Sequence, residues 1–540
     1  MYVFLLIISQ MKLRLVLLLV IFPVLCYAQL STNESPVSWS STDVSLLRQT
    51  SDIPQVTVSQ LDLDKLQQED LIDEQNGEPP RFGYPEKVAI TLTDGGVWQT
   101  LSDGSRIWRV RIFSPDALSI NLLYDKFYMP EGGKLFVYAT DKGSSIGAFT
   151  TRNNKESPTD GFATGLVFSN DITVEYYEPA AVKGKGVLSI SYVVSGYRLI
   201  SEILQEDKAL GSSGSCEINV NCPEGDNWQN EKRAVAMILV GGTRICSGSL
   251  VNTTANDTSP YFLTANHCTM NYGDAVTSPD LSSFSFYWMY EAPSCTNSST
   301  EPPIYSTSGA TIVANYEPSD FSLLRLSEDP KNLSNFTPYY LGWDSRNTSG
   351  TGGVAIHHPS GDVKKITPYT ITPASTDYLS DTPSSTQTHW RVTWSKGATE
   401  GGSSGSPLIN SSRYVIGQLH GGYSSCSSQT EPDCYGKVSY SWLNNNASDS
   451  RRRLKDWLDP LNVIPSKGGT WDGLDSRSDC VLRIENRTLS ASQTFTNNCP
   501  IEMKNVTVSG GAAIVVKAKE YILLESGVEV TGNSSLELSF

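Results

Sequence analysis

Residues 399 to 408 read TEGGSSGSPL and place Ser403, Ser404 and Ser406 inside one glycine-rich turn. By composition alone such a run reads as a linker. Upstream, TANHC sets His267 just after the apolar run YFLTA and beside a cysteine, and SDFSLLRL opens with Asp320. A serine hydroxyl is a weak nucleophile at neutral pH. An imidazole must accept its proton, and a buried carboxylate must fix the imidazole's tautomer and stabilise the imidazolium. The oxyanion that follows needs preorganised N–H donors, which a tight glycine turn can aim at a single point. Together these residue types support nucleophilic acyl transfer, although a lone His or Asp is more often structural.

A histidine, then an aspartate, then a serine in a glycine turn is the chain order of the chymotrypsin class of triad. The spacing suits a histidine and an aspartate on one β-barrel and a serine on a second. Metal chemistry has no comparable signal: neither a CxxC pair nor HExxH occurs, and the adjacent His357 and His358 point to opposite faces of a strand and make a poor chelate. No metal and no cofactor is expected.

The elements that must position these residues are β-strands. From about Cys216 to Leu474 short strands alternate with Gly, Ser and Pro, and one amphipathic helical run, SDSRRRLKDWLDP, lies near the end. About 260 residues of this kind suit an all-β double barrel or a large sandwich. Ahead of it, residues from Lys87 to Glu178 alternate in segments such as WRVRIF, LFVYAT and ITVEYYE, separated by TDGG, SDGS and PEGG; this predicts an antiparallel β-sandwich over about 86–180. Gln29 to Glu78 is polar and acidic and predicts a short helix, and LISEILQEDKALG predicts another just before SSGSC. The tail from about Asp475 alternates every second residue and predicts a small β-solenoid or sandwich.

The 540-residue length allows three or four domains, and a formal charge of -16 argues against nucleic acid, whose phosphates would need clustered Lys and Arg. Residues 1–28 contain a basic n-region and an apolar run ending Cys26-Tyr27-Ala28, which predicts a signal peptide cut after Ala28; a membrane anchor or a lipid-modified Cys26 are the alternatives. Export suits a chain with ten cysteines, because disulfides persist outside the cytosol. No later stretch predicts a membrane span.

Across residues 216–474 the chain resembles lysyl endopeptidase, a secreted bacterial serine protease of the chymotrypsin fold. The resemblance rests on GSCEINVNCPEGD, ICSGSLVNTTAND, YFLTANHC, SDFSLLRL, AIHHPSG, TEGGSSGSPL, GQLHGGYSSC, DCYG and LKDWLDP. It implies a chymotrypsin-like double β-barrel over 209–474, preceded by a β-rich pro-region over 29–208 and followed by a small β module over 475–540. It implies His267, Asp320 and Ser404 as the triad, with the N–H groups of Gly402 and Ser404 as the oxyanion hole and Ser403 and Ser406 as turn residues. In trypsin-like relatives an aspartate precedes the nucleophile and receives the new N-terminal ammonium on activation. Ser403 stands there in this chain, so activation should consist of removing the pro-region.

The resemblance also implies a lysine pocket. Asp433 would lie at its base, His420 and Gly421 on its wall, and Tyr378 where the family stacks an aromatic ring on the histidine. It implies the disulfides Cys216 with Cys426, Cys222 with Cys295, and Cys246 with Cys268. Cys480 and Cys499 are expected to pair within the tail, which leaves Cys434 as a free thiol or as the sign of a local rearrangement with Cys426.

These readings predict an exported endopeptidase, secreted or held at the cell surface, that hydrolyses proteins and peptides after lysine. Its own pro-region would act as an intramolecular inhibitor or folding aid and would be cut after Lys208. Two alternatives stand beside this: the same mechanism with arginine or broader specificity, and a catalytically silent adhesion or binding protein.

Overall fold

The computed structural model describes residues 34–40, 52–198, 213–271, 274–275, 281–297, 302, 305–333, 336–380, 386–443, 449–476, 482–497, 501–518 and 522–539. The predicted signal peptide, the predicted helix after Arg198, Lys208, Cys480 and Cys499 lie outside the described residues. The chain is all-β, with few helices. No helix among the described residues is long and apolar enough to cross a membrane.

The N-terminal sandwich has two sheets. One is built on Arg106–Phe113, Asp171–Glu178 and Lys134–Ala139; the other on Gly83–Thr91, Val187–Gly196 and Ser119–Tyr128. It extends past the predicted 86–180 at both ends. The polar segment ahead of it supplies a parallel edge strand, Gln55–Thr57, and the helix Leu63–Gln75, N-capped by the Asp62 side chain.

Residues 235–326 form a seven-stranded sheet and residues 342–471 a nine-stranded one, and residues of both sheets share one apolar core, where Ile238, Phe262 and Leu324 meet Ile356 and Ile409. A second core around Trp390, Trp394, Leu408 and Tyr435 fills the other side of the nine-stranded sheet. The strand Val235–Val240 shows how the N-terminal sandwich joins this body. Its sequence VAMILV is buried throughout. Ala236, Ile238 and Val240 face the barrel core, whereas Met237 and Leu239 pack with Phe82 and Leu166 of the N-terminal region. Alternation puts successive side chains on opposite faces, so a strand that is apolar on both faces needs two covers.

The helical run predicted in SDSRRRLKDWLDP is two separate turns, Ser450–Arg452 and Lys455–Leu458. Arg453 is extended between them (φ -149°, ψ 152°), which breaks the helix, and Pro460 follows its end. From Leu482 onward, every strand pair among the described residues is parallel. Leu482–Leu489 pairs with Ile501–Val508, and Gln493–Asn497 with Ala513–Ala518, which pairs in turn with Ser535–Ser539. This is a β-solenoid, not a sandwich.

Candidate active site

His267 follows the buried strand Tyr261–Ala265, and Asp320 precedes the strand Phe321–Leu326, its antiparallel neighbour. Asp320 takes a left-handed conformation (φ 50°, ψ 35°), which aspartate tolerates better than most residues. From it, the carboxylate accepts from the His267 backbone N–H at 2.9 Å and lies 2.7 Å from His267 Nδ1. Ring and main chain are thus held by one carboxylate. The turn is braced from the other sheet: a Cβ on Gly436 would lie 1.8 Å from the Ser319 carbonyl, which also accepts from Gln418 Nε2 at 2.8 Å. Burial alone would lower the pKa of His267, but the Asp320 carboxylate overrides it and raises the value; burial raises that of Asp320, and the two histidines beside it pull it below the usual range.

Ser404 comes from the turn before the strand Pro407–Asn410. Gly402 and Gly405 both have positive φ, 92° and 83°. At Gly405 a Cβ would lie 2.2 Å from Thr264 Oγ1 and 2.7 Å from Ala265 N, so only glycine lets this turn close on the strand that carries His267. The Ser247 N–H donates to the Ser404 carbonyl at 2.8 Å, and the disulfide Cys246–Cys268 ties the segments on either side. Among the described residues, neither the Ser404 hydroxyl nor the N–H groups of Gly402 and Ser404 have a partner. Ser403 and Ser406 are fully buried. Of the three serines, only Ser404 lines the cleft, a cavity of about 600 Å³.

His420 and Gly421 line the same cavity, as does Tyr378. The Tyr378 ring stacks on His420 with centroids 3.5 Å apart at 8°, and His420 stands 5.7 Å from the His267 ring. Nε2 of His420 is 3.8 Å from Asp320 Oδ2. Asp433 lies behind the wall and is 1% exposed. Its carboxylate accepts from Trp394 Nε1 (2.6 Å), Thr399 Oγ1 (2.7 Å) and Ser424 Oγ (2.6 Å). Thr399 and Ser424 line the cavity. Gly422 packs directly on Asp433, leaving no space for a side chain there. Burial raises the pKa of Asp433, against the pull of these donors.

Cys216 is bonded to Cys426 and Cys222 to Cys295, and Cys434 is a buried free thiol. Residues 210–436 match the family model described as lysyl endopeptidase, C-terminal domain. A lysyl endopeptidase of Pseudomonas aeruginosa PAO1 is 30% identical over 290 residues, which make up 49% of this chain and 58% of that protein. This stretch is lysyl endopeptidase-like. The chain spans little more than half the length of that relative. Among solved structures, the HtrA-type protease AlgW bound to a tripeptide aligns over 42% of this chain and 64% of its own, at 15% identity and a TM-score of 0.29. A Glu endopeptidase in complex with MPD aligns over 43% and 95%, at 13% identity and a TM-score of 0.26.

Several residues at this candidate site escape a sequence reading. His389 Nε2 lies 3.0 Å from His420 Nδ1, on the side away from Asp320. Trp394, Thr399 and Ser424 hold Asp433, and His357 meets Ser403. The rarity of histidine was an available signal, since all five in the chain fall in this stretch. The cleft is also lined by Glu74, Glu78, Pro80 and Arg81 of the N-terminal region. There the Ile245 N–H donates to the Pro80 carbonyl (3.0 Å) and the Phe82 N–H to the Thr243 carbonyl (2.9 Å).

Proposed function

We propose that this chain is an exported serine endopeptidase that hydrolyses peptide bonds on the carboxyl side of lysine. One arrangement carries the reading: a histidine oriented by a buried aspartate, beside a cleft whose serine hydroxyl and two N–H groups have no partner among the described residues. His267 would take the Ser404 proton as general base, and Asp320 would hold the Nε2-unprotonated tautomer and stabilise the imidazolium. Gly402 and Ser404 N–H would receive the oxyanion. The catalytic hydrogen bond from Ser404 to His267 would form as substrate binds, because such bonds are often long or absent in a free site.

Lysine recognition would fall to Asp433, whose carboxylate Thr399 and Ser424 shield at the cavity wall. His420 and Tyr378 would form an aromatic side wall. Three disulfides in this part of the chain suit an oxidising compartment outside the cytosol. The N-terminal region would be an intramolecular inhibitor: residues 79–82 add an extended strand at Thr243–Ile245, the mode by which a peptide augments a sheet edge. Cleavage after Lys208 by the same activity would release it.

The test is hydrolysis of matched peptides with Lys, Arg, Glu or Leu before the scissile bond, with fluorophosphonate labelling of the wild type and Ser404→Ala. Lysine preference with labelling lost in the variant supports the reading. Hydrolysis with another preference keeps the triad and rejects the pocket assignment; neither labelling nor hydrolysis rejects the enzyme.

A further inference from the structure

The residue before the proposed nucleophile is buried in a hydrogen-bonded chain whose protons can be assigned. Ser403 Oγ lies 2.7 Å from His357 Nδ1 and accepts from the Glu400 N–H at 3.2 Å. On the other side of the ring, His357 Nε2 lies 2.8 Å from Thr367 Oγ1, and the Thr367 hydroxyl donates to the Ala398 carbonyl at 3.1 Å. Thr367 has one hydroxyl proton, and it goes to Ala398. Its oxygen therefore accepts from Nε2–H, which leaves Nδ1 of a neutral imidazole to accept from the Ser403 hydroxyl. Burial, with Lys365 second, pushes the pKa of His357 down to about 3, so the ring is neutral at working pH. Glu217, 3.8 Å from Nε2, is buried with its own pKa raised, first by burial and then by Glu400.

We infer that Ser403 and His357 are positioning residues for the oxyanion turn, fixing the Gly402 and Ser404 N–H groups through an uncharged chain that needs no new terminus. The inference rests on Ser404 being the nucleophile. The anchors lie outside the turn: His357 ends the strand Gly353–His357, and Thr367 lies on its antiparallel partner Lys365–Tyr369. The turn is held in this way while residues 79–82 still occupy the cleft edge. Release of the N-terminal region would therefore uncover an oxyanion turn already held in place, not assemble one.

The test compares two ligands on the processed protein. A peptide ending in lysinal adds to the serine and places an oxyanion at the turn; the matching lysine carboxamide fills the cleft without adding. Ser403→Ala is expected to lower kcat and weaken aldehyde binding by about 10- to 100-fold, a fraction of what loss of a whole oxyanion donor costs. KM and carboxamide affinity should stay within about twofold, and Ser403→Thr, which keeps the hydroxyl, should restore most of the loss. Undiminished aldehyde affinity in Ser403→Ala overturns the inference, as does an equal loss for both ligands. Should Ser403→Ala not fold, Thr367→Val, which removes the acceptor for Nε2–H, carries the same comparison. A wild type that neither hydrolyses peptides nor labels with fluorophosphonate overturns the proposed function itself, a result distinct from an active wild type with an indifferent Ser403→Ala.

Discussion

The Ile245 N–H donates to the carbonyl of Pro80 at 3.0 Å, so a residue of the N-terminal region pairs with the strand edge just ahead of Cys246. The segment is anchored by its neighbour. Arg81 bonds Asp70 through Nε and Glu69 through Nη2, both at 3.0 Å, and is 9% exposed. Asp70 keeps Arg198 when Arg81 is removed, so truncation should cost less than a wholly orphaned buried pair, about 2 kcal/mol. In a Lys208→Gln chain that resists processing, Arg81→Ala should therefore raise hydrolysis of a small lysyl substrate by about tenfold or more. An unchanged rate would show that residues 78–82 do not close the cleft.

The Asp320 carboxylate overrides burial and raises the pKa of His267, with Glu78 adding to the effect. Catalysis requires the neutral ring, so the acid limb of kcat/KM against pH should lie above the ordinary histidine value of about 6.5. Asp320→Asn removes the raising charge and leaves the burial, so the limb should move below that value while kcat falls by about 10⁴-fold, the size expected when the tautomer is lost. A limb that stays in place would detach Asp320 from His267.

Asp433 accepts three short hydrogen bonds yet has a raised pKa, a carboxylate short of positive charge. A substrate ammonium would supply that charge. Asp433→Asn keeps the shape and removes the charge; kcat/KM for lysine peptides should fall by roughly 100-fold, about 3 kcal/mol, with little change for an uncharged residue at that position. Equal losses for both would make Asp433 a structural acid.

The His267–Asp320 contact and the glycine turn around Ser404 were legible because each sits on a local sequence that needs no distant partner to be read: an apolar strand, a strand opening, a glycine turn. Alternation likewise revealed the sheets. What stayed hidden depends on contacts across the chain. VAMILV does not say that Met237 and Leu239 face Phe82 and Leu166 while their neighbours face the barrel core. Periodicity reports which face is apolar, not what covers it. Nor does any local signal join Ser403 to His357, 46 residues away. The tail's handling of its strands was half legible, since parallel and antiparallel strands share the same two-residue period and only the pairing separates a solenoid from a sandwich.

The histidines make acid stability the most direct physical test. Four of the five have depressed pKa values, burial being the first cause in each: His357 and His389 at about 3, His420 at about 4, and His358 well below the ordinary value. In the unfolded chain each titrates near 6.5. Between that value and about pH 4 the unfolded state binds more protons than the folded state, so stability must fall as pH falls through this window. Each such histidine contributes about 1.4 kcal/mol per pH unit there, while His267, whose pKa is raised, acts in the opposite direction above about 6.5 and is silent below it. Denaturant unfolding of Ser404→Ala, which cannot digest itself, should show stability declining from pH 6 to pH 5. His389→Gln should flatten that decline by about one histidine's share. A profile level down to pH 5 would mean that these rings accept protons in the folded state, and the neutral Ser403 to His357 hydrogen bond would then not survive mild acid.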